Sequence, residues 1–196
     1  METVFIRNMV CNRCIMAVQN ELNKLGVPVK NIRLGEVTLE KLLTPGERTQ
    51  FSESLNQLGF ELIDDKKSRL IERIKSVIIE QVLYQGKNGN KENLSELLSS
   101  TLQHDYSYLS NLFSAIEGTT IEQYHIAQKI EKVKELLVYD EMTLSEIADL
   151  LYYSSAAHLS NQFKKVTGLT PGHFKQIGLE RRKPLDKVIQ DPVAGE

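Results

Sequence analysis

Apolar positions along this chain follow two patterns. In the last two thirds they recur at helical spacing, and in the first third they alternate in short runs separated by helical stretches. The helical pattern is itself repeated. Residues 93–124 fall on residues 143–174 without a gap: Leu94-Ser95-Glu96 on Leu144-Ser145-Glu146, and Leu109-Ser110-Asn111 on Leu159-Ser160-Asn161. Phe113, Gly118, Thr120 and Tyr124 fall on Phe163, Gly168, Thr170 and Phe174. Two copies of one supersecondary unit carry more weight than any single motif. In the second copy Thr143 and Glu146 have the spacing of a capping box, a hydroxyl N-cap with a carboxylate three residues on. Leu144, Ile147, Ala148 and Leu151 then form one helical face, Tyr152–Ser155 supply a turn, and Leu159, Phe163 and Val166 form a second face that Gly168 ends. The first copy repeats this with Leu94, Leu97 and Leu98, then Leu109, Leu112, Phe113 and Ile116, ended by Gly118. Helix, short turn, helix is the helix-turn-helix pattern, whose second helix can enter a DNA major groove.

The first 65 residues predict a different object. Thr3–Arg7 alternates Val4 and Ile6 as a strand. Ile15, Val18, Leu22 and Leu25 give a helix from Cys14 to Leu25, closed by Gly26. Ile32 and Leu34, then Val37 and Leu39, alternate around Gly35-Glu36 as a hairpin. Pro45 and Gly46 punctuate, Phe51, Leu55 and Leu58 predict a second helix stopped by Gly59, and Phe60–Ile63 is a last strand. The order β-α-β-β-α-β predicts a ferredoxin-like sandwich. Between the halves, Ile71, Ile74, Ile78 and Val82 make one helical stripe with Val77 beside it. The stripe suits core packing, with a dimer seam as the alternative. Gly86–Asn90 reads as a turn or link, and the charged segment after residue 179, with Pro184 and Pro192, as a loose tail.

Composition bounds the class. The 196 residues, 41% of them hydrophobic, are enough for one or two globular cores. No apolar run is long enough to span a membrane, and residues 1–15 lack the basic and apolar regions of a signal peptide, so a cytoplasmic protein without membrane contact is expected. The formal net charge of −2 does not announce a nucleic-acid binder. Local charge matters more. Between residues 155 and 183, Lys164, Lys165, Lys175, Arg181, Arg182 and Lys183 stand against Glu180 alone, on and just after the second candidate recognition helix.

Both cysteines lie between the first strand and first helix, in Met9-Val10-Cys11-Asn12-Arg13-Cys14. A C-x-x-C loop opening a helix brings two thiols together, and the amide N–H groups and helix dipole there are expected to lower the thiol pKa. Thiolates select soft ions such as Cu(I) or Zn(II), and two ligands suit Cu(I) better than tetrahedral zinc, because His104, His125, His158 and His173 show no ligand spacing. Buried structural cysteines, a thioredoxin-like redox pair and a reversible disulfide sensor are the alternatives. No nucleophile–base constellation, phosphate loop or metal–water site points to an enzyme.

Two resemblances join these readings. Residues 74–178 resemble the AraC/XylS DNA-binding domain, most specifically in Ile147-Ala148, Phe163-Lys164-Lys165, Gly168-Leu169-Thr170-Pro171 and Phe174-Lys175, with Tyr124–Leu137 as its linker helix. The resemblance implies seven helices carrying two helix-turn-helix units that read adjacent major-groove segments. Where that family has a glycine in the turn, this chain has Leu102 in the first unit and Tyr152 in the second, and the second helix of the first unit has no arginine. Residues 1–65 resemble the heavy-metal-associated domain of copper chaperones and copper-pumping ATPases, through Met9-x-Cys11-x-x-Cys14. That resemblance implies Cys11 and Cys14 as Cu(I) ligands, Met9 packed beneath the loop and Phe60 close to it. Asn8 and Val10 replace the glycine and threonine usual there.

The expectation is an α+β ferredoxin-like domain (1–65), an all-α tandem helix-turn-helix domain (66–178) and a tail (179–196). The implied function is a metal-sensing transcription regulator binding double-stranded promoter DNA, with RNA polymerase and a second copy of the chain as further candidate partners. A metallochaperone or redox module whose helical half docks a protein is the rival. Ala157, His158, Asn161, Gln162 and Lys165 of the second unit lie between apolar positions and are expected to face DNA, as are Ser107, Tyr108, Ser110, Asn111 and Ser114 of the first.

Overall fold

The computed structural model describes residues 1–63, 65–84, 93–139 and 142–177. Gly86–Asn90 and the segment after residue 179, read above as link and tail, lie outside the described residues, as do Arg181, Arg182 and Lys183. The chain divides into two compact units, Met1–Val77 and Ile78–Glu196.

The first unit has the element order β1 (Glu2–Arg7), α1 (Asn12–Lys24), β2 (Val29–Arg33), β3 (Glu36–Leu39), α2 (Pro45–Gln57) and β4 (Glu61–Ile63), followed by the start of α3 (Lys66–Tyr84). The strands form one antiparallel sheet in the order β2-β3-β1-β4. The period-two alternation of β1 sends Val4 and Ile6 to one face, where they are buried with Val37 and Leu39, Val18 and Leu22 of α1, and Phe51 and Leu55 of α2. Phe5 and Arg7 point the other way. The Arg69 guanidinium lies 5.2 Å from the centre of the Phe5 ring, and Arg7 bridges Glu61 at 2.7 Å and Glu72 at 3.7 Å. Glu72 is only 6% exposed, and Lys75 at 3.1 Å adds a second cation to its carboxylate. A buried carboxylate is tolerated because it is paired. Gly35, at φ +75° in the hairpin, sits where a Cβ would come 2.7 Å from Ser76 Oγ.

Two details of this unit differ from the apolar pattern. Pro45 and Gly46 are not punctuation but the first turn of α2, because Thr44 caps it in a reciprocal box with Glu47. Leu58 is 46% exposed, since the helix has ended at Gln57 and the chain turns through Gly59 before the residue could reach the core.

The second unit contains α4 (Leu94–Leu102), α5 (Tyr106–Glu117), α6 (Ile121–Tyr139), α7 (Leu144–Leu150), α8 (Ala156–Thr167) and α9 (Pro171–Ile177). Ile78, Ile79 and Val82 of α3 are buried. The sequence repeat is repeated in the packing. Phe113 of α5 meets Tyr124 of α6 with ring centres 5.6 Å apart, and Phe163 of α8 meets Phe174 of α9 at 5.5 Å. Gly118 and Gly168 end α5 and α8 in the left-handed conformation. The second core gathers Ile147, Ala148, Leu151, Leu159, Phe163 and Phe174 with Ile130, Val133 and Leu137 of α6. Among the described residues no helix is long and apolar enough to cross a membrane.

Candidate functional site

The second helix-turn-helix is built from its caps inward. Thr143 and Glu146 form the expected capping box at the start of α7. After Leu151 the chain turns through Tyr152 at φ 54°, and Tyr153 is carried inward and buried while its N–H donates to Ala148 O at 2.8 Å. Burial without a hydroxyl partner pushes the Tyr153 phenol up to about 12. Ser155 caps α8 by accepting from the His158 N–H at 3.0 Å. Ser154 Oγ lies 3.0 Å from His158 Nδ1, and the Tyr153 ring meets the His158 ring edge-on at 5.4 Å. From α6, the Lys129 ammonium donates to Leu151 O at 2.6 Å and lies 5.0 Å from the centre of the Tyr153 ring. The last carbonyls of a helix lack intrahelical partners, and a cation there satisfies one while opposing the helix dipole. Periodicity did not single out Lys129 or Tyr153. A lysine five residues after the buried Tyr124, with Tyr-Tyr in the later turn, was the available signal.

The exposed face of α8 holds Ala157, His158, Asn161, Lys164 and Lys165, and Lys175 and His173 of α9 are exposed as well. Ala157, His158, Asn161 and Lys165 thus face outward as expected. Gln162 is partly buried, one position round the helix towards Phe163, and Lys164 is exposed instead.

The first unit makes its turn differently. Asn93 caps α4 by accepting from the Ser95 N–H. The left-handed residue is Gln103 at φ 56°, not Leu102, which is the last residue of α4 and is buried. Tyr106 donates its hydroxyl to Glu122, which holds the Glu122 carboxyl below its usual range, and burial together with that carboxylate pushes the phenol up. On α5, Ser107, Tyr108 and Asn111 are exposed as expected, whereas Ser110 and Ser114 are only partly so. Ala115 and Ile116 are exposed in their place, and Ile116, read above as part of the buried face, is 47% exposed. It lies a turn beyond Phe113, where α5 has run past the core. Residues 93–120 contain Glu96, Asp105 and Glu117 and no lysine or arginine, whereas residues 143–170 balance Glu146 and Asp149 with Lys164 and Lys165.

In the first unit of the chain, Cys11 is the N-cap residue of α1 and Cys14 lies in its first turn. Their sulfurs are 3.5 Å apart, both thiols are free and partly buried, and the Cys14 N–H donates to Cys11 O at 3.0 Å. Burial pushes the Cys14 thiol up, against the expectation of a lowered pKa. Desolvation of the thiolate outweighs the backbone hydrogen bonds at the helix start. Met9 is buried, and Phe60 is buried beside Gly59. Asn8 is at φ 71°, and its Nδ2 donates to Gly59 O at 3.0 Å. Glycine is easiest at a positive φ, and asparagine is among the few side chains that tolerate it. Among the described residues no three His, Cys, Asp or Glu side chains converge as a metal cluster.

A family model described as a helix-turn-helix domain matches residues 98–177. The chain is 25% identical over 154 residues to the uncharacterized HTH-type transcriptional regulator YtdP of Bacillus subtilis, covering 76% of this chain and 20% of that protein. It is 27% identical over 114 residues to the probable transcriptional regulator LumQ of Photobacterium leiognathi, covering 58% of this chain and 44% of that one. Over 74 residues it is 30% identical to the xylose operon regulatory protein of Escherichia coli, 38% of this chain and 19% of that protein. The chain thus spans less than half the length of these curated relatives. Among solved structures, the C-terminal domain of AraT, a response regulator from Geobacillus stearothermophilus, aligns with 61% of this chain and 95% of its own at TM-score 0.48 and 21% identity. The C-terminal part of this chain is a helix-turn-helix domain.

Proposed function

We propose that this chain is a transcription regulator in which α4–α9 bind promoter DNA and the βαββαβ unit senses a soft metal ion, Cu(I), at Cys11 and Cys14. The observation that carries the DNA reading is the exposed α8 face, where His158, Asn161, Lys164 and Lys165 stand together in a domain that matches the helix-turn-helix family. Asparagine can pair with adenine, and lysine with guanine or phosphate. The sheet unit supports the resemblance to heavy-metal-associated domains through its strand order β2-β3-β1-β4, the buried Met9 and the positive φ of Asn8, where that family has glycine. We read it as the ferredoxin-like sandwich.

The thiol pair fits Cu(I) by its donor set. Two soft sulfurs lie 3.5 Å apart with no third ligand clustered near them among the described residues, and Zn(II) would need two further ligands. Bound metal would supply a charge and a cross-link to the loop. Met9 supports that loop, and Asn8 ties it to the Gly59 turn. Metal regulates only if it binds the DNA-competent and incompetent states with different free energies. A Cu(I) shared between the cysteine pairs of two chains is one such route, and contact with RNA polymerase is a second partner of the bound regulator.

The same 3.5 Å separation supports a second reading, a reversible disulfide. Titration of reduced protein with Cu(I) against a competing chelator, beside a Cys11→Ser/Cys14→Ser variant, separates them. Tight cysteine-dependent copper that changes affinity for DNA upstream of the encoding gene supports metal sensing. No tight copper, with DNA affinity following thiol oxidation, supports the disulfide. Copper binding without salt-dependent DNA binding would favour a metallochaperone-like module.

A further inference from the structure

The two recognition helices are related residue by residue, and their exposed faces differ in chemistry at two of three central positions. Asn111 of α5 corresponds to Asn161 of α8, Tyr108 to His158, and Ala115 to Lys165, and all six side chains are exposed. Each trio spans one stripe of its helix, three and then four residues apart, so each can line one groove. The α8 stripe ends on a cation with Lys164 beside it. The α5 stripe ends on a methyl group, with the 47%-exposed Ile116 next to it, in a unit that has three carboxylates and no lysine or arginine.

The geometry points to a division of base preference between α5 and α8 set by Ala115 and Lys165, an inference that rests on the DNA-binding reading above. The α5 face reads a stretch of A·T pairs, through the Asn111 amide on adenine and through Ala115 and Tyr108 on thymine methyl groups. The α8 face reads a guanine-containing stretch through Lys165 beside Asn161. The reasons are the groove chemistry of each pair. Guanine offers two acceptors that a lysine can meet, and thymine offers a methyl group that only an apolar side chain rewards. Phosphate anchoring follows the same division. Cations release counterions and set the salt dependence of binding, and the first unit has none to contribute.

The test is selection of bound duplexes from a random-sequence DNA pool with the full chain, reduced. The expected product has an A·T stretch about one helical turn, ~10 base pairs, from a stretch containing guanine. Lys165→Ala is expected to relax the guanine position and to reduce the salt slope by about 1. Asn111→Ala is expected to weaken binding about tenfold and to relax the A·T stretch. Replacing thymine by uracil in that stretch removes the methyl group and is expected to weaken wild-type binding. The decisive variant is Ala115→Lys, at an exposed position where folding is not at stake, which is expected to select guanine in the first stretch. Guanine selected there by the wild type, no preference there, or an Ala115→Lys variant with unchanged selection would overturn the inference while leaving DNA binding intact. No enrichment of any duplex would overturn the DNA-binding reading itself.

Discussion

The two helix-turn-helix units keep one register but close their turns by different means. In the first, α4 runs on to Leu102, Gln103 alone takes the left-handed conformation, and its own Nε2 donates back to Ser100 O at 2.6 Å. In the second, α7 stops at Leu150, Tyr152 takes the left-handed position one residue earlier in register, and Tyr153 is drawn into the core. The carbonyl freed at Leu151 is taken by Lys129 from α6. The first turn is therefore closed by a local side chain, and the second by tertiary contacts from the helix that joins the units. The exposed faces of α5 and α8 diverge too, within stretches that are acidic in the first unit and carry Lys164 and Lys165 in the second. A repeat conserves its apolar skeleton because the core demands it, and leaves cap, turn and surface chemistry free to vary.

The largest test of that shared skeleton is Phe113→Ala beside Phe163→Ala. Both rings are fully buried against an aromatic partner, so each is expected to cost about 3–5 kcal/mol in urea denaturation. A near-neutral result for one would break the equivalence of the two cores. Lys129→Met comes next. It leaves the Leu151 carbonyl without its charged donor and removes the cation from the Tyr153 ring, at an expected cost of about 2 kcal/mol. The caps sharpen the contrast further. Thr143→Ala breaks a reciprocal box and is expected to cost about 1 kcal/mol, and Asn93→Ala, which removes the acceptor for one backbone N–H, rather less. Thermal melts of the two variants should rank in that order. The turns respond in the opposite sense. Tyr152→Gly is expected to stabilise by about 0.5–1 kcal/mol, because glycine carries no steric cost at φ 54°. Gln103→Gly gains less, since it forfeits the bond to Ser100 O.

The smallest effect is on pH. Hydrogen bonds from the Thr143 hydroxyl and N–H hold the Glu146 carboxyl below its usual range. A carboxylate with a depressed folded-state pKa stabilises above its unfolded value, and that contribution fades as pH falls through the folded one. Stability of the wild type should therefore decline slightly more steeply on acidification than that of Glu146→Gln. Parallel melting curves at neutral and acidic pH check this, and identical slopes would remove Glu146 from the account.

Much of this molecule was legible before any coordinate. The offset between Phe113 and Phe163 placed two equivalent helical hairpins, because burial of one helix face imposes a 3.6-residue period on whatever sequence performs it. Alternation at Val4 and Ile6, and C-x-x-C ahead of a helical stripe, placed the sheet strand and the thiol loop for similarly local reasons. Exposure of Ser107, Asn111, His158 and Lys165 followed from the same geometry.

What only the tertiary structure decided was everything set by a neighbour distant in sequence. Periodicity puts Ile116 and Leu58 on an apolar stripe but cannot say that the core has ended before it reaches them. Helix position alone argues for a lowered Cys14 pKa, and burial by the surrounding chain reverses it. The left-handed residue fell on Gln103 rather than Leu102 because Leu102 is held in the core as the last residue of α4, which sends the turn one residue on. Lys129 reads as one more charge on an amphipathic helix until the fold brings Leu151 O within 2.6 Å. Local pattern records which side of an element faces inward, whereas desolvation and long-range hydrogen bonds depend on what stands there.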